Sequence, residues 1–163
     1  MNLFFTTMTS PVGMLTLVAN EHGLAAILWE NDNPRRVRLG SLEPAPHHPV
    51  LQETQRQLQD YFTGTRQTFS LPFAFTGTPF QNKVWKALIT IPYGKTRTYS
   101  QIARQIGHPQ AVRAVGAANG KNPLSIVAPC HRVIGSNGKL TGFAGGLENK
   151  AWLLEFESRH AQQ

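Results

Sequence analysis

The stretch Thr76-Gly77-Thr78-Pro79 divides the chain into two parts whose hydrophobic patterns call for different secondary structure. Before it, apolar runs are short and punctuated by turns. Leu3-Phe4-Phe5 leads to the turn Ser10-Pro11-Val12-Gly13, Met14-Leu15-Thr16-Leu17-Val18 to the turn Asn20-Glu21-His22-Gly23, and Leu24 to Trp29 forms a third run. Runs of this length between such turns predict a meander of strands. Residues 31–49, with four prolines and three arginines, read as an exposed connection. Leu51, Leu58, Tyr61 and Phe62 then recur at roughly helical spacing, which predicts an amphipathic helix over 50–62. His47-His48, set between prolines, reads as a solvated loop, not a metal pair.

After the break the spacing is helical. Thr78 is placed to cap a helix that opens on Pro79, with Phe80, Val84, Ala87, Leu88 and Ile91 as its apolar stripe and Ile91-Pro92-Tyr93-Gly94 as its stop. Thr98, followed by Gln101 at the capping-box position, opens a second helix with Ile102, Ala103 and Ile106 inside. Gly107 ends it, and Pro109 is expected to open a third helix over about 109–119. Two short helices joined by a tight glycine turn have the form of a helix-turn-helix. The reading is an α+β chain with lobes 1–77 and 78–163.

Charge follows the same division. Residues 1–77 hold five Lys/Arg and six Asp/Glu, whereas 78–163 hold eleven and three, so the whole net charge of +7 comes from the second lobe. That asymmetry suits a polyanionic partner, nucleic acid first, although a merely soluble basic surface has the same composition. The third helix sharpens the question. Arg113 shares its face with Gln110, Gly116 and Ala117, and Ala111, Ala114 and Ala118 are also small. A major-groove reader presents several long polar side chains. One arginine amid little bulk suits close backbone approach to a minor groove, and suits tight helix–helix packing equally well.

Cys130 is the sole cysteine, which excludes an intramolecular disulfide and a multi-thiolate zinc site. The apolar run Leu124-Ser125-Ile126-Val127-Ala128 leads into Pro129-Cys130-His131-Arg132-Val133-Ile134. A thiol attacks as thiolate, and an adjacent cation or histidine base makes ionisation easier. If the segment is extended, His131 points away from the sulfur and reaches it less easily than a residue from elsewhere, or acts through a water. Apolar neighbours keep the site dry. No run approaches the roughly 18 apolar residues of a membrane span, and the start lacks the basic region of a secretory signal, so a cytoplasmic protein is expected.

Pro129-Cys130-His131-Arg132-Val133-Ile134 resembles the active-site signature of the O6-alkylguanine-DNA alkyltransferases. The resemblance extends through Phe80-Gln81-Asn82-Lys83-Val84-Trp85, Ile91-Pro92-Tyr93-Gly94, Thr98-Tyr99, Ala114-Val115-Gly116, Asn119-Gly120, Asn122-Pro123 and Gly145-Gly146. It implies a ribonuclease H-like N-terminal lobe with a small antiparallel sheet, and a winged-helix-like C-terminal lobe. It further implies single-turnover DNA repair, in which an alkyl group passes irreversibly from O6-alkylguanine, or O4-alkylthymine, to Cys130.

By the same resemblance, His131 is the base acting through a water, Glu157 orients it, and Asn122 is a hinge. Glu157 read from the residues alone is a solvated helix-end carboxylate. Tyr99 crowds the nucleotide's phosphate and donates to guanine N3. Arg113 is the finger that enters the base stack, on a DNA-binding face with Ala114, Gly116 and Ala117. Val133, Phe143 and Ala144 line the pocket, backbone groups of Cys130, Val133 and Ala144 reading the guanine edge. The implied partner is duplex DNA, bound through the minor groove by a monomer with the lesion flipped out; cooperativity along DNA is left open. No cofactor is implied. Several relatives hold zinc through N-terminal cysteines that this chain lacks, so no metal is expected. Ala144 and Phe143 stand where serine and tyrosine are common, which makes a more apolar pocket. A non-catalytic damage sensor and a cysteine hydrolase are the rival readings.

Overall fold

The computed structural model describes residues 2–161, and the chain divides into two compact units, Met1–Ala74 and Phe75–Gln163. In the first, β1 (Leu3–Met8), β2 (Leu15–Asn20) and β3 (Gly23–Leu28) form the expected meander. β1 and β2 pair antiparallel from Phe4 opposite Ala19 to Met8 opposite Leu15, and β2 and β3 pair antiparallel across the Glu21-His22 turn. Gly13, at φ +97°, closes the first turn by donating its N–H to Ser10 O. Such positive φ is cheap for glycine.

One strand lies where the sequence predicts only a connection. β4 (Leu42–Pro44) runs parallel to β1, with Leu3 opposite Leu42, and gives the sheet the order β3-β2-β1-β4. At three residues with a terminal proline, it tolerates the edge of a sheet, where one row of N–H groups stays unpaired. α1 (Pro49–Phe62) then packs against β1–β3, burying Leu51, Thr54, Leu58 and Tyr61 at i, i+3 and i+4 spacings. Gln57, also buried, accepts from Ser70 N and donates to Ser70 O, satisfying the returning chain.

In the second unit, α2 (Pro79–Ile89) and α3 (Tyr99–Gln105) both begin with complete capping boxes, Thr78 with Gln81 and Thr98 with Gln101. Each box satisfies two backbone donors that a helix start leaves open. α4 (Val112–Gly120) starts three residues later than expected. Pro109 does not open it. Pro109-Gln110 instead occupy the middle of a turn closed by Ala111 N donating to His108 O, where a fixed φ and a missing N–H are equally well used. Gly107, at φ +82°, makes the corner between α3 and α4.

The core of this unit gathers Val84, Leu88 and Ile91 with Ile102, Val115, Cys130 and Val133. Trp85, outside the stripe read from the sequence, is also buried and donates Nε1–H to Ala118 O at 2.8 Å, pinning α2 to α4. A two-residue parallel pairing joins β5 (Arg97–Thr98) to β6 (Val133–Ile134), and α5 (Leu147–His160) completes the unit. Among the described residues no helix is long and apolar enough to cross a membrane.

Gly23 provides a test of the first unit. At φ +124°, an added Cβ would lie 2.2 Å from Pro72 O, a backbone atom that itself accepts from Leu24 N. Gly23→Ala is expected to cost about 2–4 kcal/mol by strain and clash together. Gly40→Ala, where nothing lies within 4 Å, should stay within about 0.5 kcal/mol. Guanidinium unfolding of the two variants checks the contrast.

Candidate active site

The cysteine is delivered by a loop with little freedom. Asn122, fully buried, accepts from Leu124 N at 3.0 Å and donates to Ala128 O at 2.8 Å, closing residues 124–128 upon the end of α4. Within the loop Ile126 sits at φ +73°, rare and strained for a β-branched residue, and Val127 N donates across it to Ser125 O. Cys130, His131 and Arg132 then form one 3-10 turn, not the extended segment that alternation would require. The turn follows from Pro129, whose carbonyl accepts from Arg132 N, and from Val133 N donating back to Cys130 O. Asn119 Nδ2 reaches Cys130 O at 3.4 Å, a long second tie from α4.

Cys130 is 4% exposed and belongs to the core, with Tyr99 and Phe143 packed against the same cluster. His131 and Glu157 are wholly buried. His131 Nε2 lies 2.7 Å from Glu157 Oε2. Arg132 donates from Nε to Glu157 Oε1 at 2.8 Å and from Nη2 to Oε2 at 3.0 Å, while Nη1 donates to Ile91 O at 2.7 Å. The Tyr93 ring lies 5.5 Å from the guanidinium carbon. One carboxylate therefore binds two consecutive side chains of the turn.

The electrostatics are consistent with that arrangement. Burial alone would raise the Glu157 carboxyl, but the imidazole and guanidinium beside it outweigh burial and hold it well below the usual carboxylate range. Burial pushes His131 down, against the pull of Glu157, so the imidazole is neutral near pH 7. An ionised carboxylate only accepts, so the proton between the two sits on Nε2. Nδ1 of that neutral ring is then a bare acceptor, and it has no hydrogen-bond partner among the described residues.

The remaining expected residues fall around this centre. Arg113, Ala114 and Ala117 are exposed on α4, whereas Val115, Ala118 and Asn119 face inward. Packing thus accounts for Ala118, but it leaves an open, nearly smooth face with one long cation. Gly116 lies against the Tyr99 ring, 3.9 Å from where a Cβ would be. Tyr99 OH is 2.7 Å from Thr141 Oγ1. Val133 is buried, Phe143 half-buried and Ala144 exposed. Among the described residues no group of three or more His, Cys, Asp and Glu is placed to hold a metal ion.

Residues 3–75 match the family model for the 6-O-methylguanine DNA methyltransferase ribonuclease-like domain, and residues 79–159 match that family's DNA binding domain. The chain belongs to the 6-O-methylguanine DNA methyltransferase family. A methylated-DNA–protein-cysteine methyltransferase of Methanosarcina barkeri is 45% identical over 97% of this chain and 99% of its own length. The constitutive enzyme of that name from Bacillus subtilis is 46% identical over 94% of each. Mycobacterium tuberculosis OGT, solved in complex with DNA, superposes with a TM-score of 0.89 at 44% identity, covering 96% of this chain and 94% of that one.

Two features of this family member escape the sequence reading. Arg132, read as a cation for the neighbouring sulfur, is instead neutralised by Glu157. Lys150 was not singled out, yet it is fully buried two helical turns before Glu157 on α5. The available signal was a lysine at i−3 from Leu153 and i−7 from Glu157, on the face that turns inward.

The buried triad makes stability depend on acid. His131, lowered when folded, contributes stability that is complete above its unfolded value of about 6.5 and is lost below it. Glu157, also lowered, contributes above its unfolded value of about 4.3, and that share disappears as pH falls toward its folded value. Unfolding between pH 4 and 8 should therefore show the wild type weakening progressively from about pH 6.5 downward. Glu157→Gln should cost about 3–5 kcal/mol at neutral pH, because Arg132 loses its counter-charge. Equal neutral stability of the two proteins would contradict the triad.

Proposed function

We propose that this protein repairs DNA by taking the alkyl group of O6-alkylguanine onto Cys130 Sγ, once per molecule. The observation that carries the reading is a buried cysteine in a turn whose next residue, His131, is kept neutral by burial, while Glu157 holds its proton on Nε2 and leaves Nδ1 open as an acceptor. His131 takes the thiol proton through a water. Sγ then attacks the alkyl carbon in line, the carbon–O6 bond breaks, and its electron pair leaves on the guanine, which is protonated afterwards. Tyr99 donates to guanine N3 and stabilises the charge as it develops. For this, its hydroxyl exchanges Thr141 for the base. The thioether has no good leaving group, so the reaction ends there. O4-alkylthymine presents the same exocyclic oxygen to the same sulfur.

O6 of a paired base is out of reach inside the stack, so the nucleotide must be extruded at a cost of a few kcal/mol. The open face of α4 suits the minor groove: Ala114, Gly116 and Ala117 let the backbone approach closely while Arg113 fills the vacated place. Asn122 and Asn119 connect that helix to the cysteine loop. The protein acts as a monomer in this scheme, in the compartment that holds the DNA. Phosphate contacts from the basic unit make its affinity fall with salt.

Intact-mass measurement after one equivalent of duplex carrying O6-methylguanine should show one added methyl group on the wild type and none on Cys130→Ser. With excess duplex the conversion should stop at one lesion per molecule. Continued turnover without an adduct would indicate a hydrolase; binding without mass gain would indicate a sensor.

Arg113→Ala should slow repair in duplex by at least about tenfold while leaving reaction with free O6-benzylguanine nearly unchanged. Equal losses on both substrates would remove Arg113 from extrusion. Ala144→Ser should lower the benzyl-to-methyl rate ratio on DNA, and an unchanged ratio would dissociate residue 144 from alkyl size.

A further inference from the structure

A thiolate formed in the interior needs a positive charge beside it, since burial penalises the charged sulfur. Sequence adjacency points to Arg132, but the structure excludes it from that task. Its guanidinium donates twice to Glu157 and once to Ile91 O, so its charge is already matched. His131 is neutral and is bonded to the same carboxylate. Glu157, Arg132 and His131 together are close to net zero, and a thiolate added to them would be uncompensated.

Among the described residues, the other buried cationic side chain of this unit is Lys150. It is wholly enclosed, and its Nζ has no hydrogen-bond partner among the described residues. The amine stands 5.6 Å from the centre of the Phe143 ring, a weak cation–π contact that leaves its donors open. Lys150 and Glu157 are two turns apart on α5, and both project from the face that buries Leu153. The cluster that holds Cys130 also has Phe143 packed against it. A lysine buried without a partner is costly to keep, and the cost makes sense if a negative charge arises beside it.

We infer that Lys150 is the counter-ion of the Cys130 thiolate, holding the acceptor ionised before DNA arrives. The inference rests on Cys130 being the alkyl acceptor, and it names a charge partner for the sulfur that Arg132 and His131 do not provide. Burial lowers the Lys150 amine from its ordinary value, and the sulfur of Cys130 pulls it back up. The groups that bear on the pair are His131 and Arg132 from the cysteine turn, Glu157 from α5, and Tyr93 beyond Arg132. Lys150 in turn disfavours a proton on His131, which keeps the imidazole available as a base.

Through the reaction Nζ keeps its proton. The thiol proton has already left by way of His131 before DNA arrives, and the alkyl carbon bonds to Sγ. The carbon–O6 pair departs with the guanine. The sulfur ends as a neutral thioether, and Lys150 is left without its negative partner. Its proton is then held less tightly than before.

The test needs no DNA, so its failure is distinct from failure of alkyl transfer. Iodoacetamide reacts with the thiolate, and the pH dependence of its rate on this single-cysteine chain reports the thiol directly. Lys150→Met, similar in length and uncharged, should move the midpoint up by about one unit or more and slow alkylation about tenfold or more at pH values below the wild-type midpoint. Lys150→Arg should keep the midpoint near that of the wild type. A folded Lys150→Met protein with the wild-type profile would overturn the proposal.

A second measurement avoids disturbing the lysine. Carbon-13 NMR of lysine-labelled protein should show Lys150 losing its proton at lower pH in Cys130→Ser than in the wild type. Identical Lys150 titration in the two proteins would overturn the proposal as well.

Discussion

One buried carboxylate organises the C-terminal unit. Glu157 accepts from two side chains of the Cys130–Arg132 turn, both within 3.0 Å, and is itself sealed from solvent. Removing such a charge from water costs several kcal/mol, and the cost is offset only when geometry and partners are nearly complete. Here the planar guanidinium supplies two parallel donors and the imidazole a third. The consequence is rigid. The turn can form in one way, because any rotation of residues 130–132 leaves a charge buried without its partner.

The same constraint divides labour among the charges. Glu157 consumes the cation nearest the sulfur in sequence and fixes the imidazole in the form that can accept a proton. It therefore leaves the charge of the sulfur itself to be balanced from elsewhere, and Lys150 is placed on the same helix face. Asn122 and Asn119 fasten the cysteine loop to the end of α4. The exposed face of α4 is thus linked by a few buried amide bonds to the reacting group.

Much of the scaffold was legible because its signals are local. Thr78 before Pro79 and Thr98 with Gln101 announce helix starts by side-chain chemistry that acts within three residues, and both threonines cap their helices. The turns at Gly13 and Gly107 are equally local. β4 was missed because a three-residue edge strand held by a distant partner has no period of its own. The start of α4 was misplaced because proline at a helix's first position and proline inside a preceding turn look identical in sequence. The cysteine turn was read as extended because its shape is set by carbonyls of Pro129 and Cys130, not by residue type. Glu157 and Lys150 were the hardest. Charged residues on a terminal helix are ordinarily solvated, and only tertiary partners on the cysteine turn reverse that expectation. Family resemblance pointed to Glu157 but left Lys150 unnoticed.

The central claim is that burial keeps His131 neutral and Glu157 fixes its proton on Nε2, leaving Nδ1 bare, beside a buried cysteine. Nitrogen-15 NMR of histidine-labelled protein measures that state directly. The account predicts a neutral His131 ring with the proton on Nε2 near pH 7. An imidazolium at neutral pH, or a proton on Nδ1, would contradict it.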